Sequence, residues 1–290
     1  MSRERRGRRP GARGALRRPK AHRLIPNVVS IAGVDPCGGA GVLADVKTFS
    51  ALGAYGCGVV AALTAQNTRA VTGIHEVPPE FLRLQIDTLF DDVAIDAVKI
   101  GMLASAPLIR TVADALRRHR PRFVVLDPVM VAKSGDRLLR ADAVEALRLE
   151  LLPLATVVTP NLPEAADLLG TPVADSPEAM RAAARALREH GPANVLVKGG
   201  HLPGDRLVDV LFDGERFVEL AAARIVTKNT HGTGCTLSSA IAALLPQRHS
   251  VAAAVRDARA YVLEAIRAAD RLHVGGGHGP LNHFHQAWAA

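Results

Sequence analysis

Long apolar runs are missing from this chain. No uninterrupted stretch reaches the roughly 18 residues that a membrane span needs, and no apolar segment follows the basic N-terminus as it would in a secretory leader. Cysteine is scarce too. Its three copies, Cys37, Cys57 and Cys235, show no Cys-x-x-Cys spacing, so neither a disulfide framework nor a local zinc motif is expected. Aromatic residues make up 3% of a chain that is 48% hydrophobic, which predicts an aliphatic core. Neither G-x-x-x-x-G-K-S/T nor H-E-x-x-H occurs, which removes P-loop NTPases and zincins. The expectation is a soluble, cytoplasmic protein of a reducing compartment.

Acidic residues are nearly absent from one end. Residues 1–23 carry ten Lys or Arg against Glu4 alone, a local charge of +9 within a total of +8, so the remainder sits at −1. The sequence pI near 10.0 therefore belongs to a basic tail over 1–23. That composition reads as a disordered, solvated leader or, as the sharper reading, a weak polyanion-binding arm. Residues 24–290 show no linker-like composition and are expected to form one domain.

What is there is an unbroken alternation. Apolar runs beginning at Asn27, Ala97, Phe123, Ala155 and Asn194 read as buried strands, and helical segments are expected over 40–53, 78–91, 106–120, 141–152 and 177–190. In the first helix Leu43, Val46, Phe49 and Leu52 form the predicted apolar side, with Asp45, Lys47 and Ser50 polar. A hairpin is expected over 207–220. Strands alternating with helices imply an α/β fold whose mostly parallel sheet is covered on both faces. In such sheets ligands gather at the carboxyl ends of strands. There the sequence sets Gly33-Val-Asp35, Gln66-Asn67, Gly101-Met102, Asp127-Pro128, Thr159-Pro-Asn161 and Lys198-Gly-Gly200.

Three segments invite chemistry. "GGAGVLA" from Gly38 resembles a dinucleotide fingerprint, but the following region, Val59 to Gln66, ends without the acid that such a site requires. A tight turn packing helix against sheet, or a small-molecule pocket wall, remains. "THGTGC" (Thr230–Cys235) precedes a helical run. Its Gly232 and Gly234 permit backbone N–H groups to converge into an anion hole for a phosphoryl group in flight, with Cys235 beside a helix end that favours thiolate. A small residue filling a tight turn is the plain alternative. "TPNLPEA" sets Asn161 and Glu164 three residues apart, as an N-cap with a first-turn acid or as a holder of water or Mg²⁺ beside nucleotide phosphates. His283-Phe-His285 reads as packing or surface rather than as a metal pair.

Taken in order, "IAGVDPCGGAGVLADVKTFSALGAYGCGVVAALTAQNT", "KIGML", "LDPVMVAKSGD", "TPNLPEA", "VKGGH" and "VTKNTHGTGCTLSSAIAA" closely resemble the hydroxymethylpyrimidine/phosphomethylpyrimidine kinase family of thiamine biosynthesis. This is a branch of the ribokinase-like superfamily, and the resemblance runs from about Asn27 to the C-terminal "GHGPLNHFH". It implies a three-layer α/β/α domain, ATP and Mg²⁺ as cofactors, and two successive phosphorylations of an aminopyrimidine alcohol, first on its hydroxymethyl oxygen and then on the resulting monophosphate. It also implies a homodimer. No membrane partner is expected, since no apolar run is long enough, and a nucleic-acid partner is disfavoured, since the basic charge is confined to residues 1–23 and would leave the strand-end motifs unexplained. Carried over by position, Gly33, Asp45, Gln66 and Met102 match the family's pyrimidine pocket. Thr159, Asn161, Glu164, Lys198 and Asp209 fall on the nucleotide side, with Glu164 reaching the metal through water. Lys133 is implied to reach the transferring phosphates, Gly232 and Gly234 to form the anion hole, and Cys235 to take the hydroxyl proton. A pyridoxal kinase on the same scaffold is the nearest alternative.

Overall fold

The computed structural model describes residues 25–131 and 141–288. The basic tail and Lys133 lie outside the described residues. Within them, nine strands form one sheet in the order β3-β2-β1-β4-β5-β6-β7-β8-β9. The strands are β1 (Asn27–Val34), β2 (Tyr55–Gln66), β3 (Val71–Glu76), β4 (Ala97–Ile100), β5 (Phe123–Leu126), β6 (Val157–Val158), β7 (Asn194–Val197), β8 (Arg206–Phe212) and β9 (Phe217–Ala223). β1 pairs in parallel with both β2 and β4, and the parallel register continues through β5 and β6 to β7. β3 adds antiparallel to β2 at one edge, and the β8–β9 hairpin adds antiparallel to β7 at the other.

Helices cover both faces, because the inner strands bury alternate side chains on opposite sides. Val29 and Ile31 of β1 point into one core with α2 (Pro79–Asp92), α3 (Ala106–His119), α5 (Leu162–Leu169) and α6 (Pro177–Glu189). Val28 and the alternate residues Ala97, Val125, Val157 and Leu196 point into the other, with α1 (Gly41–Ala51), α7 (Thr233–Leu244) and α8 (Val251–Arg267). The predicted helix over 141–152 divides into α4 (Ala141–Ala146), a π-helical turn over Leu147–Leu151 and a short 3-10 turn, where Pro153 removes a donor and ends regular winding. β6 is only two residues long, and β3 carried no sequence signal of its own.

One helix face differs from the reading of its periodicity. α1 buries Val42, Ala44, Asp45, Thr48 and Phe49, whereas Leu43 stands exposed. Asp45 faces inward because partners wait there: Lys99 Nζ at 2.8 Å, Ser30 Oγ at 2.5 Å and Ser239 Oγ at 2.7 Å. A carboxylate with three donors can be buried without the penalty of an unpaired charge. Polarity alone would have sent it outward.

The sheet also places the site. β1 connects to β2 on one side, and the chain then crosses to β4 on the other, so the direction of winding reverses between β1 and β4. A crevice opens at the carboxyl ends of strands at such a point.

Candidate active site

A cavity of about 690 Å³ opens at that crevice. Its walls include five strand ends, part of β8 and two helix N-termini. Gly33, Asp35, Gln66 and Met102 lie at the ends of β1, β2 and β4, Asp127 follows β5, and Asn161 and Glu164 start α5. Lys198 follows β7, Asp209 comes from β8, and His231 to Cys235 lead into α7.

α7 starts with Gly232 as N-cap at φ +79, a backbone geometry that favours glycine. A Cβ there would stand 1.7 Å from the Gly39 carbonyl oxygen, so the two glycine loops approach closely enough to exclude any side chain. Gly41 meets the sheet in the same way. Its φ is +59, and a Cβ would lie 2.3 Å from Gly33 O. This resolves the "GGAG" segment as a tight turn that is also a cavity wall. The first N–H groups of a helix lack intrahelical acceptors and carry the positive end of its dipole. A Cβ on Gly234 would lie 3.3 Å from Lys198 Nζ and 3.6 Å from Asp127 Oδ2, so the helix start adjoins a buried charged pair.

That pair is central. Asp127 Oδ1 accepts from Lys198 Nζ at 2.9 Å and from Thr159 Oγ1 at 3.1 Å, and Oδ2 accepts from Ser238 Oγ at 3.2 Å. Burial pushes the Asp127 carboxyl up, but Lys198 and Lys99 outweigh it and hold the group below its ordinary value. Glu164 behaves oppositely. Burial first, and Asp127 in addition, push its carboxyl up to about 7, although Lys198 and backbone donors at Asn161 and Met130 pull the other way. Asn161 and Glu164 also form a capping box: Glu164 N donates to Asn161 Oδ1 at 2.9 Å, and Asn161 N donates to Glu164 Oε2 at 2.7 Å. The structural and the ligand-facing readings of "TPNLPEA" thus coexist. Asp209 accepts from Gly199 N at 2.9 Å and from Arg259 Nε at 2.7 Å.

Two expected wall residues stand behind the wall. Asp45 does not line the cavity, because Lys99, Ser30 and Ser239 occupy its oxygens inside the protein. Thr159 is fully buried and acts on the cavity through Asp127. A third expectation reverses. Cys235 does stand in the first turn of α7, but its thiol is pushed up to about 11, chiefly by burial and further by Asp45 and Asp127, against the pull of Lys99. The helix end is outweighed, and the thiol is neutral near pH 7.

Sequence reading gave Lys99 and His231 no role, and it set Asp35 at a strand end without its partner. Lys99 lay inside a strand-like run and reads as an oddity of β4 until its carboxylate partner is visible. His231 Nε2 stands 2.7 Å from Asp35 Oδ2, linking the α7 loop to the end of β1 across 196 residues. His283, read as packing, is buried and contacts Thr236 Oγ1 at 3.1 Å.

The cavity has relatives. The sequence profile of a family described as phosphomethylpyrimidine kinase matches residues 35–282. A hydroxymethylpyrimidine/phosphomethylpyrimidine kinase of Rhizobium meliloti is 55% identical over 260 residues, covering 90% of this chain and 97% of that protein. A thiamine biosynthesis bifunctional protein of Geobacter sulfurreducens is 52% identical over 89% of this chain and 52% of its own length. Among solved structures, the pyridoxal kinase of Bacillus subtilis in its ADP complex superposes with a TM-score of 0.84 at 33% identity, covering 91% of this chain and 100% of that one.

Proposed function

This chain belongs to the phosphomethylpyrimidine kinase family, and from that premise we propose how its cavity divides the work of the reaction. The protein is an ATP-using phosphotransferase that phosphorylates hydroxymethylpyrimidine, and then its monophosphate, in thiamine biosynthesis. Pyridoxal kinase is the less favoured reading, since the pyridoxal kinase neighbour shares 33% identity against 55% for the pyrimidine kinase.

Gln66 holds the pyrimidine, because one amide can donate to and accept from the aminopyrimidine edge. Gly33 and Met102 close on the ring. A Cβ at Gly33 would stand 2.8 Å from Met102 Cε, so glycine keeps a slot open there. Asn161, Glu164, Lys198 and Asp209 take the nucleotide, and the start of α7 with Gly232 and Gly234 takes the transferring phosphoryl group. In the first reaction the hydroxymethyl oxygen bonds to the terminal phosphorus of ATP, the bond to ADP breaks, and the hydroxyl proton passes to an oxygen of the transferred phosphoryl group or to water. In the second, a phosphate oxygen of the monophosphate attacks another ATP. Charge neutralisation and alignment carry such transfers more than a strong base does. A neutral Cys235 thiol therefore serves to position the acceptor. Asp45 and Thr159 support Lys99 and Asp127 from behind.

Mg²⁺ fits this donor set. Asp127 and Glu164 present hard oxygen ligands with Lys198 as their shared cation, a net negative cluster at the nucleotide wall. Bound there directly or through water, the ion would neutralise charge on the phosphates. A homodimer and a cytoplasmic location complete the reading. Exposed Leu63, Ile74, Phe81 and Leu84 around β2, β3 and α2 supply apolar surface for self-association.

The observation that carries this division is the contiguity of the α7 start with Lys198 and Asp127 on one side and Gln66 and Met102 on the other, in one cavity. The test is a panel of hydroxymethylpyrimidine, its monophosphate and pyridoxal with Mg-ATP, on the native protein and on Gln66→Leu. The variant should raise KM for the pyrimidine by about 5- to 100-fold, the worth of leaving the ring's polar edge unpaired, with background ATP hydrolysis unchanged. An unchanged KM would remove Gln66 from the pocket.

A further inference from the structure

Beside the phosphoryl site lies a second cluster that phosphoryl transfer does not use. Asp35, Cys37 and His231 bring Oδ2, Sγ and Nε2 all within 4.8 Å of one another, with Asp35 and His231 buried and Cys37 half-buried. The atoms now share hydrogen bonds: His231 Nε2 stands 2.7 Å from Asp35 Oδ2, and Cys37 Sγ stands 3.1 Å from the same oxygen. The sequence hides this group, because Cys37 and His231 are 194 positions apart and no local metal motif joins them.

From this geometry we infer that Asp35, Cys37 and His231 form a binding site for a soft divalent cation of the Zn²⁺ class, and that its occupation depresses kinase activity. One oxygen, one sulfur and one imidazole nitrogen make the three-ligand set of an open tetrahedral zinc site. Ligand atoms around such an ion stand about 3.3–3.8 Å apart, given bonds of about 2.0–2.3 Å. The cluster therefore has to widen by less than about 1 Å at its two shortest contacts, with the ion replacing the protons now shared there. The support is already in place. Cys37 N donates to Asp35 Oδ1 and Ala40 N donates to Oδ2, both at 3.0 Å, while His231 N donates to Gly279 O at 3.1 Å. Such outer contacts orient ligands and are worth about 10- to 100-fold in affinity. Asp35 and His231 line the cavity, so the fourth position faces it. An ion there would tie the loop after β1 to the loop before α7 and set a cation in the wall where the acceptor must settle.

The hard oxygen-only cluster at Asp127 and Glu164 suits Mg²⁺, so the two sites differ in the softness of their ligands. Zn²⁺ should therefore act at concentrations far below those of Mg²⁺.

The test uses the full chain without nucleotide, titrated with Co²⁺ and, in competition, Zn²⁺. One equivalent of Co²⁺ should give a thiolate-to-metal charge-transfer absorption in the near ultraviolet. Cys37→Ser, which keeps the size and a donor to Asp35, should abolish that band and weaken Zn²⁺ binding by at least about 10- to 100-fold. His231→Gln, which can still donate to Asp35, should weaken it similarly. Thermal melts of both variants establish that they fold. In the kinase assay at saturating Mg-ATP, micromolar Zn²⁺ should inhibit the native protein, chelator should restore it, and Cys37→Ser should resist. A band unchanged in Cys37→Ser would place the ion on Cys57 or Cys235 and overturn the site. Equal inhibition of both proteins would overturn its effect on activity. The binding measurement stands apart from the kinase reading, so failure of one is distinguishable from failure of the other.

Discussion

Glu164 carries a carboxyl raised from 4.5 to about 7, chiefly by burial. A carboxyl whose folded value lies above its unfolded value contributes stability below about 4.5 that is lost as pH rises through about 7. The unliganded protein should thus gain stability from Glu164→Gln at pH 8, while the capping box survives, because glutamine can also return its side chain to the Asn161 N–H. Ligand binding should move the other way. Ionised Glu164 is the form that serves Mg²⁺, and about a tenth of it remains one pH unit below its pKa. From pH 8 to pH 6 the wild type should lose up to about tenfold more Mg-nucleotide affinity than Glu164→Gln, as read by calorimetry on both. Parallel losses would show that only the nucleotide titrates. Cys235 gives the second residue-scale prediction. With its thiol pushed up to about 11, a thiolate base is scarce near neutrality. Cys235→Ala should lower kcat by less than about tenfold, and equally for the alcohol and for the monophosphate. General-base catalysis is worth about 10²–10⁴, so a loss of that size confined to the alcohol would restore the base role.

At the scale of elements, the start of α7 and the turn before α1 behave as one unit, because each glycine is shaped by the other loop. Gly232 and Gly234 sit two residues apart and should still separate. Gly232→Ala forces φ +79 on alanine, about 1–2 kcal/mol by itself, and drives a Cβ into Gly39 O, so both the melting temperature and activity should fall. Gly234 has no left-handed strain, and its added methyl meets only the flexible end of Lys198 at 3.3 Å and Asp127 at 3.6 Å. Gly234→Ala should fold normally, yet lower kcat by about 10²–10³ by crowding the phosphoryl site. Equal melting temperatures for the two variants would contradict this account.

Across the whole molecule, the charge is divided from the chemistry. The +9 of residues 1–23 lies outside the segment that the family profile spans, and the cavity is walled by residues from Gly33 to Ile266. Deleting residues 1–20 should leave kcat and KM within about threefold, while salt-sensitive retention on a polyanion column disappears. A truncated protein that melts normally but has lost its kinase activity would place the tail in the reaction. Among the described residues no helix is long and apolar enough to cross a membrane.

The α/β alternation, the strand ends and the glycine turns were legible because they depend on local rules: periodicity, propensity and the backbone freedom of glycine. Thus Gln66, Met102, Asn161 and Lys198 were set at strand ends by order along the chain, and Glu164 and the α7 start by their local segments, whereas Asp209 was assigned to the nucleotide side only by the family resemblance. What the sequence could not decide was partnership. Asp45 was read as a polar position of the first helix and, by resemblance, as a pocket residue, and it stands instead behind the wall because Lys99, Ser30 and Ser239, distant in sequence, occupy its oxygens. Lys99 in turn looked like a misfit in an apolar strand. Cys235 was read from its helix end, yet burial beside Asp45 and Asp127 governs its thiol. Asp35, Cys37 and His231 carried no shared spacing at all. Charge pairing, desolvation and ligand geometry depend on distances through space, and the sheet sets those by bringing together segments nearly 200 residues apart.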